Sequence, residues 1–451
     1  MRFIPHTRDD VARMLEAVGV TSVDALFPTV PASLRARASL DLPAGLGERE
    51  VLERLSALAA MNDVQASFLG AGCYRHYVPS AVSLVMGRSE FATSYTPYQP
   101  EVSQGTLQAT FEFQTYVARL TGLEVANASM YDGASAFAEA LLMALRVVKN
   151  RSRLLVSAGL HPEYIEVART YLCGYGRGEI VEVPLAADGR TDLRALEALL
   201  GDDVAAVAIG YPNFFGAIED LASASRLAKR AGALSISATT EALALALLRT
   251  PAACGVDIAV AEGQSFGLAT SFGGPGLGLF ATRAAYMRQM PGRLVGETVD
   301  EDGRRGYVLT LATREQHIRR DKATSNICTN QGLAALCATV FLGLAGRRGL
   351  RELAVENTRA AHRVAERLRR EAGVELSFRA PFFNEFSVEV PDCEQMFVRA
   401  VAGGLVPGLR VASLLPERRE HRNRLLVAVT ECTSEAEIDM LVQRLTARAA
   451  A

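Results

Sequence analysis

The segment 94–105 (SYTPYQPEVSQG) carries residue types that could do chemistry in a fixed arrangement. Its two prolines stiffen the backbone in extended form, so the polar tips along it would keep their positions. Hydroxyl, carboxyl and amide groups at this spacing suit hydrogen bonding and proton transfer to a small substrate. The candidates are Tyr95, Tyr98, Glu101 and Gln104. Composition alone favours the simpler interpretation, a surface loop that caps the next helix.

A second candidate segment, 68–80 (FLGAGCYRHYVPS), places Arg75 and His76 beside two glycines. A guanidinium can hold a carboxylate or phosphate through two hydrogen bonds, and an imidazole can move a proton. The alternative is a loop in which both side chains satisfy backbone carbonyls, and without further information the composition favours that loop.

The third segment, 313–331 (TREQHIRRDKATSNICTNQ), is basic in its first half and polar but uncharged in its second. Its basic half predicts either a solvated helix face or a contact surface. In the second case, Arg319 and Arg320 would face a dimer partner or an acidic protein, or would position a carboxylate. The glycine-rich stretch 268–278 (LATSFGGPGLG) lacks the Gly-Lys-Ser/Thr of a phosphate-binding loop and predicts a tight turn into the next strand, with phosphate contact as the lesser alternative.

Composition narrows the class of protein. The 451 residues predict two or three domains, and the net charge of −2 gives no drive toward nucleic acid or an anionic membrane. Seven scattered cysteines without a CxxC pair predict reduced thiols in a cytoplasm and no zinc knuckle. The longest uncharged helical stretch, 332–346, is too short to span a bilayer and predicts a buried helix. Only three residues are lysine, which makes a search for a catalytic lysine nearly exhaustive.

The elements that would position these segments alternate between strand and helix. The N-terminal region, 1–67, predicts a helical extension, including a helix over 48–61. Short apolar strands, such as those predicted at 153–157 and 204–210, are separated by helices and predict a mostly parallel sheet covered on both faces in a large domain, 68–345. A small α/β domain, 346–451, follows. Its predicted elements are helices at 351–370, 393–402 and 434–448 and strands at 374–378, 385–390 and 425–430.

Taken as whole strings, 68–80, 94–105 and 313–331 resemble glycine decarboxylase, the P-protein of the glycine cleavage system. The resemblance extends over nearly the whole chain and matches the half of that enzyme without the cofactor lysine. It implies the aspartate-aminotransferase-like (fold type I) architecture of pyridoxal phosphate-dependent transferases.

The same resemblance locates the cofactor positions. Aligned by its flanking strands, the chain has Ser265 where the lysine-bearing half has its lysine and Ala238 where an acid would contact the pyridinium nitrogen. The resemblance thus implies that subunit 2 holds pyridoxal phosphate in an α2β2 complex. Together the subunits would decarboxylate glycine and pass its aminomethyl group to the lipoyl arm of the H-protein. Arg75, His76, Tyr95, Tyr98, Glu101 and Gln104 would then line the cleft.

Two alternatives stay open at this stage. The chain could be an inert structural partner that stabilises subunit 2 and docks the H-protein, although a scaffold would not need the polar chemistry of residues 70–105. It could instead be a self-sufficient pyridoxal phosphate enzyme that uses Lys322.

Overall fold

The computed structural model describes residues 5–38, 41–62 and 64–446, and the chain divides into two compact units, 1–63 and 64–451. The first unit contains α1 (Arg8–Val18), α2 (Ala32–Arg37) and α3 (Glu48–Ala59). Helix α1 begins at a capping box, in which Thr7 and Asp10 satisfy each other's backbone amides. Helices predicted for this region are present, and no described residue of the three α-helices is buried. Residues 64–67 of the predicted extension belong to the second unit and include the strand Ala66–Ser67.

The second unit alternates helices and strands over its described residues. Its α-helices are α4 (Ser80–Met86), α5 (Ser89–Ala92), α6 (Gln104–Thr121), α7 (Gly133–Val147), α8 (Pro162–Tyr175), α9 (Leu193–Leu199), α10 (Leu221–Arg230), α11 (Gln316–Arg319), α12 (Gly332–Ala372), α13 (Cys393–Ala402) and α14 (Glu435–Thr446). Its strands are β1 (Ala66–Ser67), β2 (Val125–Ala126), β3 (Arg153–Ser157), β4 (Glu179–Val183), β5 (Val204–Gly210), β6 (Leu234–Thr239), β7 (Ile258–Glu262), β8 (Gly278–Thr282), β9 (Leu294–Val299), β10 (Arg305–Thr310), β11 (Glu385–Glu389), β12 (Leu405–Val406), β13 (Leu409–Arg410) and β14 (Arg424–Ala428).

The central sheet has seven strands in the order β2-β8-β7-β6-β5-β3-β4. Strands β3 to β7 pair in parallel, whereas β8 is antiparallel to β7. Every residue of β5, β6 and β7 is buried, because helices cover both faces and continuous apolar runs suit such strands. Val207 and Ile209 join the core that contains α6, α10 and α12, while Ala206 and Ala208 join the core that contains α7 and α8.

The C-terminal region has its own small sheet, β11-β14-β13, packed against α12, α13 and α14 around a separate apolar core. The prediction of a strand at 374–378 is wrong. This segment makes only two backbone hydrogen bonds to β11, between Ser377 and Ser387 and between Glu389 and Glu375, and forms one isolated bridge. The predicted helix 434–448 is present as α14, and residues 447 and 448 lie outside the described residues.

Helix α12 includes both the buried helix predicted for 332–346 and the helix predicted for 351–370, on either side of a break. It continues to Ala372, with a break at Gly346, where a φ of 57° departs from helical geometry. By length and composition alone this helix could cross a membrane, but half of its apolar 18-residue stretch is buried inside the fold. Core helices pass the same test, so the helix is weak evidence for a membrane span.

Candidate active site

Strands β6 and β7 lie side by side in register, with Ala238 opposite Val260, and bring the two predicted cofactor positions to one edge of the sheet. Ser265 follows β7 and is 2% exposed. Its Oγ is buried and has no hydrogen-bond partner among the described residues. Ala238 is buried as well. The edge therefore offers one neutral hydroxyl and one methyl group at these positions.

The lysines of the chain do not reach this edge. Lys149 follows α7, Lys229 lies near the end of α10, and Lys322 lies in a short turn after α11. All three residues are exposed on the surface. An imine-forming lysine at the edge of the sheet is therefore lacking in this chain.

Glu262 occupies the space next to Ser265. Its buried carboxylate accepts hydrogen bonds from the backbone N–H groups of Gly133 (2.9 Å), Gln264 (3.0 Å) and Leu277 (2.8 Å). Burial raises the pKa of Glu262 above its usual range, and these three hydrogen bonds act in the opposite direction. Gly133 is the first residue of α7, so the carboxylate fills the helix N-terminus, the place where an external anion would otherwise bind.

The segment 68–80 forms a loop up to Pro79, as predicted, and covers the sheet edge that carries Ala238, Glu262 and Ser265. We call this covered region the closed edge. Tyr74 and Gln264 exchange backbone-to-amide hydrogen bonds of 2.8 and 3.0 Å. The Tyr74 hydroxyl donates to Glu385 at 2.9 Å. Burial raises the pKa of Glu385 to about 7. The loop is thus joined to both the central sheet and the C-terminal sheet.

Arg75 and His76 attach the same loop to the C-terminal region. Arg75 donates to the Cys432 carbonyl (2.7 Å) and to Glu437 (2.8 Å). The two ring nitrogens of His76 lie 3.0 Å from Glu241 and 2.9 Å from Glu431. Burial lowers the pKa of His76, but the two carboxylates outweigh it and raise the pKa to about 10. His76 is therefore a buried cation held between two carboxylates.

The segment 94–105 has a very different environment. Tyr95 is 86% exposed and Tyr98 is 53% exposed, and Glu101 is exposed in the short turn before α6. Part of this segment, including Tyr95 and Pro97, borders a cavity of about 180 Å³. The opposite wall includes Arg293 and Asn330, and the remaining lining is largely aliphatic or hydroxyl-bearing. Tyr95 therefore stands in solvent beside a partly apolar hollow.

Arg293 connects the two segments that border this cavity. Its side chain is only 6% exposed and donates to the Cys328 carbonyl (2.6 Å), the Asn330 amide oxygen (3.2 Å) and the Tyr98 hydroxyl (3.3 Å). Its Nε lies 3.6 Å from the Glu315 carboxylate, and the guanidinium carbon lies 5.5 Å from the centre of the Tyr98 ring. This one buried cation thereby fixes Tyr98 relative to the segment 313–331.

Gln104 is engaged with backbone. Its amide accepts from the Tyr307 N–H and donates to the Tyr307 carbonyl, both at 2.9 Å. These bonds join the start of α6 to the β9–β10 hairpin, an element that the sequence patterns did not indicate.

The segment 313–331 forms short turns and α11 rather than one long helix face. Arg314 is buried and donates to the backbone carbonyls of Met290, Gly292 and Leu311. Arg319 and Arg320 are exposed. The first arginine thus supports the turn before β9, and the other two lie on the surface.

The structure therefore separates the predicted site residues into two groups. Arg75 and His76 lie on the cover of the closed edge, whereas Tyr95, Tyr98, Glu101 and Gln104 belong to the segment beside the cavity. Sequence reasoning missed Arg293 and Glu262. The Pro-Gly turn before Arg293 was the available signal, because it places a charged side chain directly before the apolar pair Leu294–Val295.

Comparisons with known proteins agree on one family. The family model described as glycine cleavage system P-protein matches residues 1–445. A probable glycine dehydrogenase (decarboxylating) subunit 1 from Anaeromyxobacter dehalogenans is 52% identical over 432 residues, which cover 96% of each chain. A crystal structure of glycine decarboxylase (P-protein) of the glycine cleavage system, in inhibitor-bound form, has 45% identity and a TM-score of 0.90, covering 99% of this chain and 100% of that one.

More distant structures share the fold. Sphingosine-1-phosphate lyase from Burkholderia pseudomallei has a TM-score of 0.66 at 16% identity, covering 92% of this chain and 93% of the other. The molecule is thus built on the fold type I architecture of pyridoxal phosphate-dependent enzymes, as predicted. Within that class, the chain belongs to the glycine cleavage system P-protein family, and the predicted resemblance is confirmed.

The residues at the sheet edge do not fit pyridoxal phosphate. An imine to the cofactor needs a lysine amine, and Ser265 offers an unpartnered hydroxyl instead. A phosphate at the N-terminus of α7 would meet the buried carboxylate of Glu262, with a like charge in a poorly solvated place. At this edge the aldehyde of the cofactor would therefore lack an amine, and its phosphate would lack a favourable binding site.

Proposed function

We propose that this chain acts as subunit 1 of a two-subunit glycine dehydrogenase (decarboxylating) and completes an active site whose pyridoxal phosphate is held by subunit 2. Relatives with that description match it at about half identity over nearly the full chain. The complex would decarboxylate glycine and transfer the aminomethyl group to the lipoyl arm of the H-protein. The cofactor would supply the electron sink for that reaction from the partner's side.

One observation carries this proposal. Tyr95 and Tyr98 stand exposed on a rigid segment, and the buried Arg293 holds the second of them in place. Exposed aromatic residues on an immobilised backbone lose little entropy when they are covered, which suits an interface with a substrate or a second subunit. A scaffold would gain nothing from anchoring a tyrosine hydroxyl through a buried cation.

The predicted site residues take different parts in this proposal. Tyr95 and Glu101 would contact substrate or the partner's site directly, since both are exposed and Tyr95 borders the cavity. Tyr98 would present its ring in the orientation set by Arg293. Arg75, His76 and Gln104 would act indirectly, because each holds its segment against another part of the fold.

The exposed Arg319 and Arg320 supply positive charge next to the same region. We assign them to docking of the H-protein through acidic groups. Reversing their charge should raise the apparent KM for the H-protein, and an unchanged KM would leave them without this role.

Assembly and location complete the proposal. We expect an α2β2 complex with subunit 2 in the bacterial cytoplasm. The seven cysteines are scattered along the chain and form no CxxC pair, which suits a reducing compartment.

The test is glycine-dependent exchange of labelled bicarbonate into the glycine carboxyl group, with pyridoxal phosphate and H-protein present. The chain should be inactive alone and active with subunit 2. Tyr95→Phe and Glu101→Gln should each lower kcat of the assembled complex by about tenfold or more, because each removes one group suited to hydrogen bonding or proton transfer.

Tyr175→Phe is the matched control, since Tyr175 is an exposed tyrosine at the end of α8. Full activity in both site variants, with normal assembly, would favour the inert structural partner instead. Activity of the chain alone would show that one of its own lysines holds the cofactor and would refute the half-site proposal.

A further inference from the structure

Glu262 joins two structures that are far apart in sequence. One carboxylate oxygen accepts from Gly133, at the N-terminus of the 15-residue helix α7. The other accepts from both Gln264 and Leu277, which are the two ends of the loop 264–277. The neck of this loop is thus bridged twice, by the Glu262 carboxylate and by a backbone hydrogen bond from the Gly263 N–H to the Leu277 carbonyl (2.7 Å), and the carboxylate alone fastens it to the helix.

The surroundings of the carboxylate suit an anion. All three of these partners are backbone donors, so a proton on either oxygen would find no acceptor among them. The first turn of α7 adds the positive end of its helix dipole. Nearby Asp132 is occupied with the Ser135 N–H as the helix N-cap, and it does not donate to Glu262. The unpartnered Oγ of Ser265 is buried in the same turn region.

The packing leaves little space for another group. A Cβ atom on Gly276 would lie 3.0 Å from Glu262 Oε2 and 2.8 Å from the Asp132 side chain. A Cβ on Gly133 would lie 2.1 Å from the Tyr164 hydroxyl. Only glycine lets the helix start and the returning loop approach the carboxylate this closely.

We propose that Glu262 is a built-in anion that permanently occupies an oxyanion site between α7 and the loop 264–277, and thereby holds the neck of that loop shut. The site would otherwise accept a small oxyanion, such as a carboxylate or phosphate. The loop carries Phe272, which is 97% exposed, at its tip, so the closed neck also determines where this side chain is presented.

The test removes the internal anion and supplies an external one. Glu262→Ala deletes a fragment equivalent to acetate from the full-length chain. We expect its thermal midpoint to fall by about 5–10 °C, because buried donors lose their acceptor. Acetate at about 100 mM should then recover much of this loss relative to chloride at equal ionic strength, since a ligand bound only to the native state stabilises it. The neutral amide acetamide should not.

The control is Glu219→Ala. Glu219 is another buried carboxylate, bonded to Thr191 and Asn213 rather than to a helix N-terminus. Equal recovery by acetate in this variant would show that acetate fills any such vacancy, and it would overturn the assignment of a specific anion site. An acetate response of Glu262→Ala no larger than that of the unmodified chain would overturn it as well.

A second measurement covers the case in which Glu262→Ala does not fold. Glu262→Gln keeps the volume but replaces one acceptor oxygen by a donor, which repels at least one of the three N–H groups. Hydrogen exchange in the loop 264–277 should become faster in this variant, while exchange in β5 should not change. Unchanged exchange in the loop would refute the role of Glu262 at the neck.

Discussion

Polar side chains have opposite environments at the closed edge of the sheet and at the cavity beside Tyr95. At the closed edge, the Glu262 carboxylate is satisfied internally by backbone donors, and the loop 68–80 covers the site. At the cavity, a buried cation holds Tyr98, but the tyrosines themselves are exposed. Polar groups that are satisfied internally have nothing left to offer a ligand, whereas exposed and immobilised ones do. Activity should therefore depend on the cavity region and stability on the closed edge.

The largest effect on activity is expected for Arg293→Met, which tests whether catalysis depends on the cavity region. The variant should lower kcat of the assembled complex by about 100-fold, because Tyr98 and the segment 313–331 lose their common anchor and Glu315 loses its buried guanidinium neighbour. Bicarbonate exchange with subunit 2 and H-protein present measures the effect. Arg293→Lys should recover only part of it, since an ammonium lacks the planar fork of the guanidinium.

Arg305→Met is the matched control, because Arg305 also lies over a tyrosine ring, that of Tyr307, but is exposed. Its effect should be within about twofold of the parent. If Arg293→Met kept full activity while Tyr95→Phe lost it, Arg293 would have no positioning role and the half-site proposal would survive.

The cover of the closed edge should respond to pH through His76. Its pKa is about 10 in the folded chain, against 6.5 as its ordinary value, so the folded state binds the proton more tightly. The resulting stabilisation is complete below about pH 6.5 and is lost as pH rises through about 10. Urea unfolding of the parent between pH 6.5 and 10 should show this decline, and His76→Gln should be less stable by about 3 kcal/mol at neutral pH and lack the decline.

His76→Gln also tests whether the closed edge contributes to activity. His76→Gln should change kcat of the surviving complex much less than Arg293→Met does. A loss of kcat as large as that of Arg293→Met, with assembly intact, would mean that the closed edge takes part in the reaction.

The smallest effect is expected for Lys322→Ala. Lys322 is exposed in the turn after α11 and has no place in the proposed site. Bicarbonate exchange by the complex should stay within about twofold of the parent. Loss of activity, together with loss of bound pyridoxal phosphate from this chain, would favour the self-sufficient enzyme instead.

Part of this architecture could be predicted because its causes are local. Continuous apolar runs such as 153–157 and 204–210 predicted buried parallel strands, and β3 and β5 have those bounds. The strand predicted at 374–378 was wrong for the opposite reason. A β-like composition does not ensure that a neighbouring strand pairs with the segment along its whole length. The β9–β10 hairpin was missed, because its charged and polar residues hide the alternation that would mark it.

The order of residues along the chain was enough to assign the family and the fold class, because both depend on which residues follow one another. Only the tertiary structure decided which polar groups are satisfied and which are free. Gly133, Gln264 and Leu277 meet on Glu262, and Tyr98, Cys328 and Asn330 meet on Arg293, from positions far apart in the chain. Hydrogen bonds and burial depend on distance in space, so the difference between a closed and an open site appears only once the chain has folded.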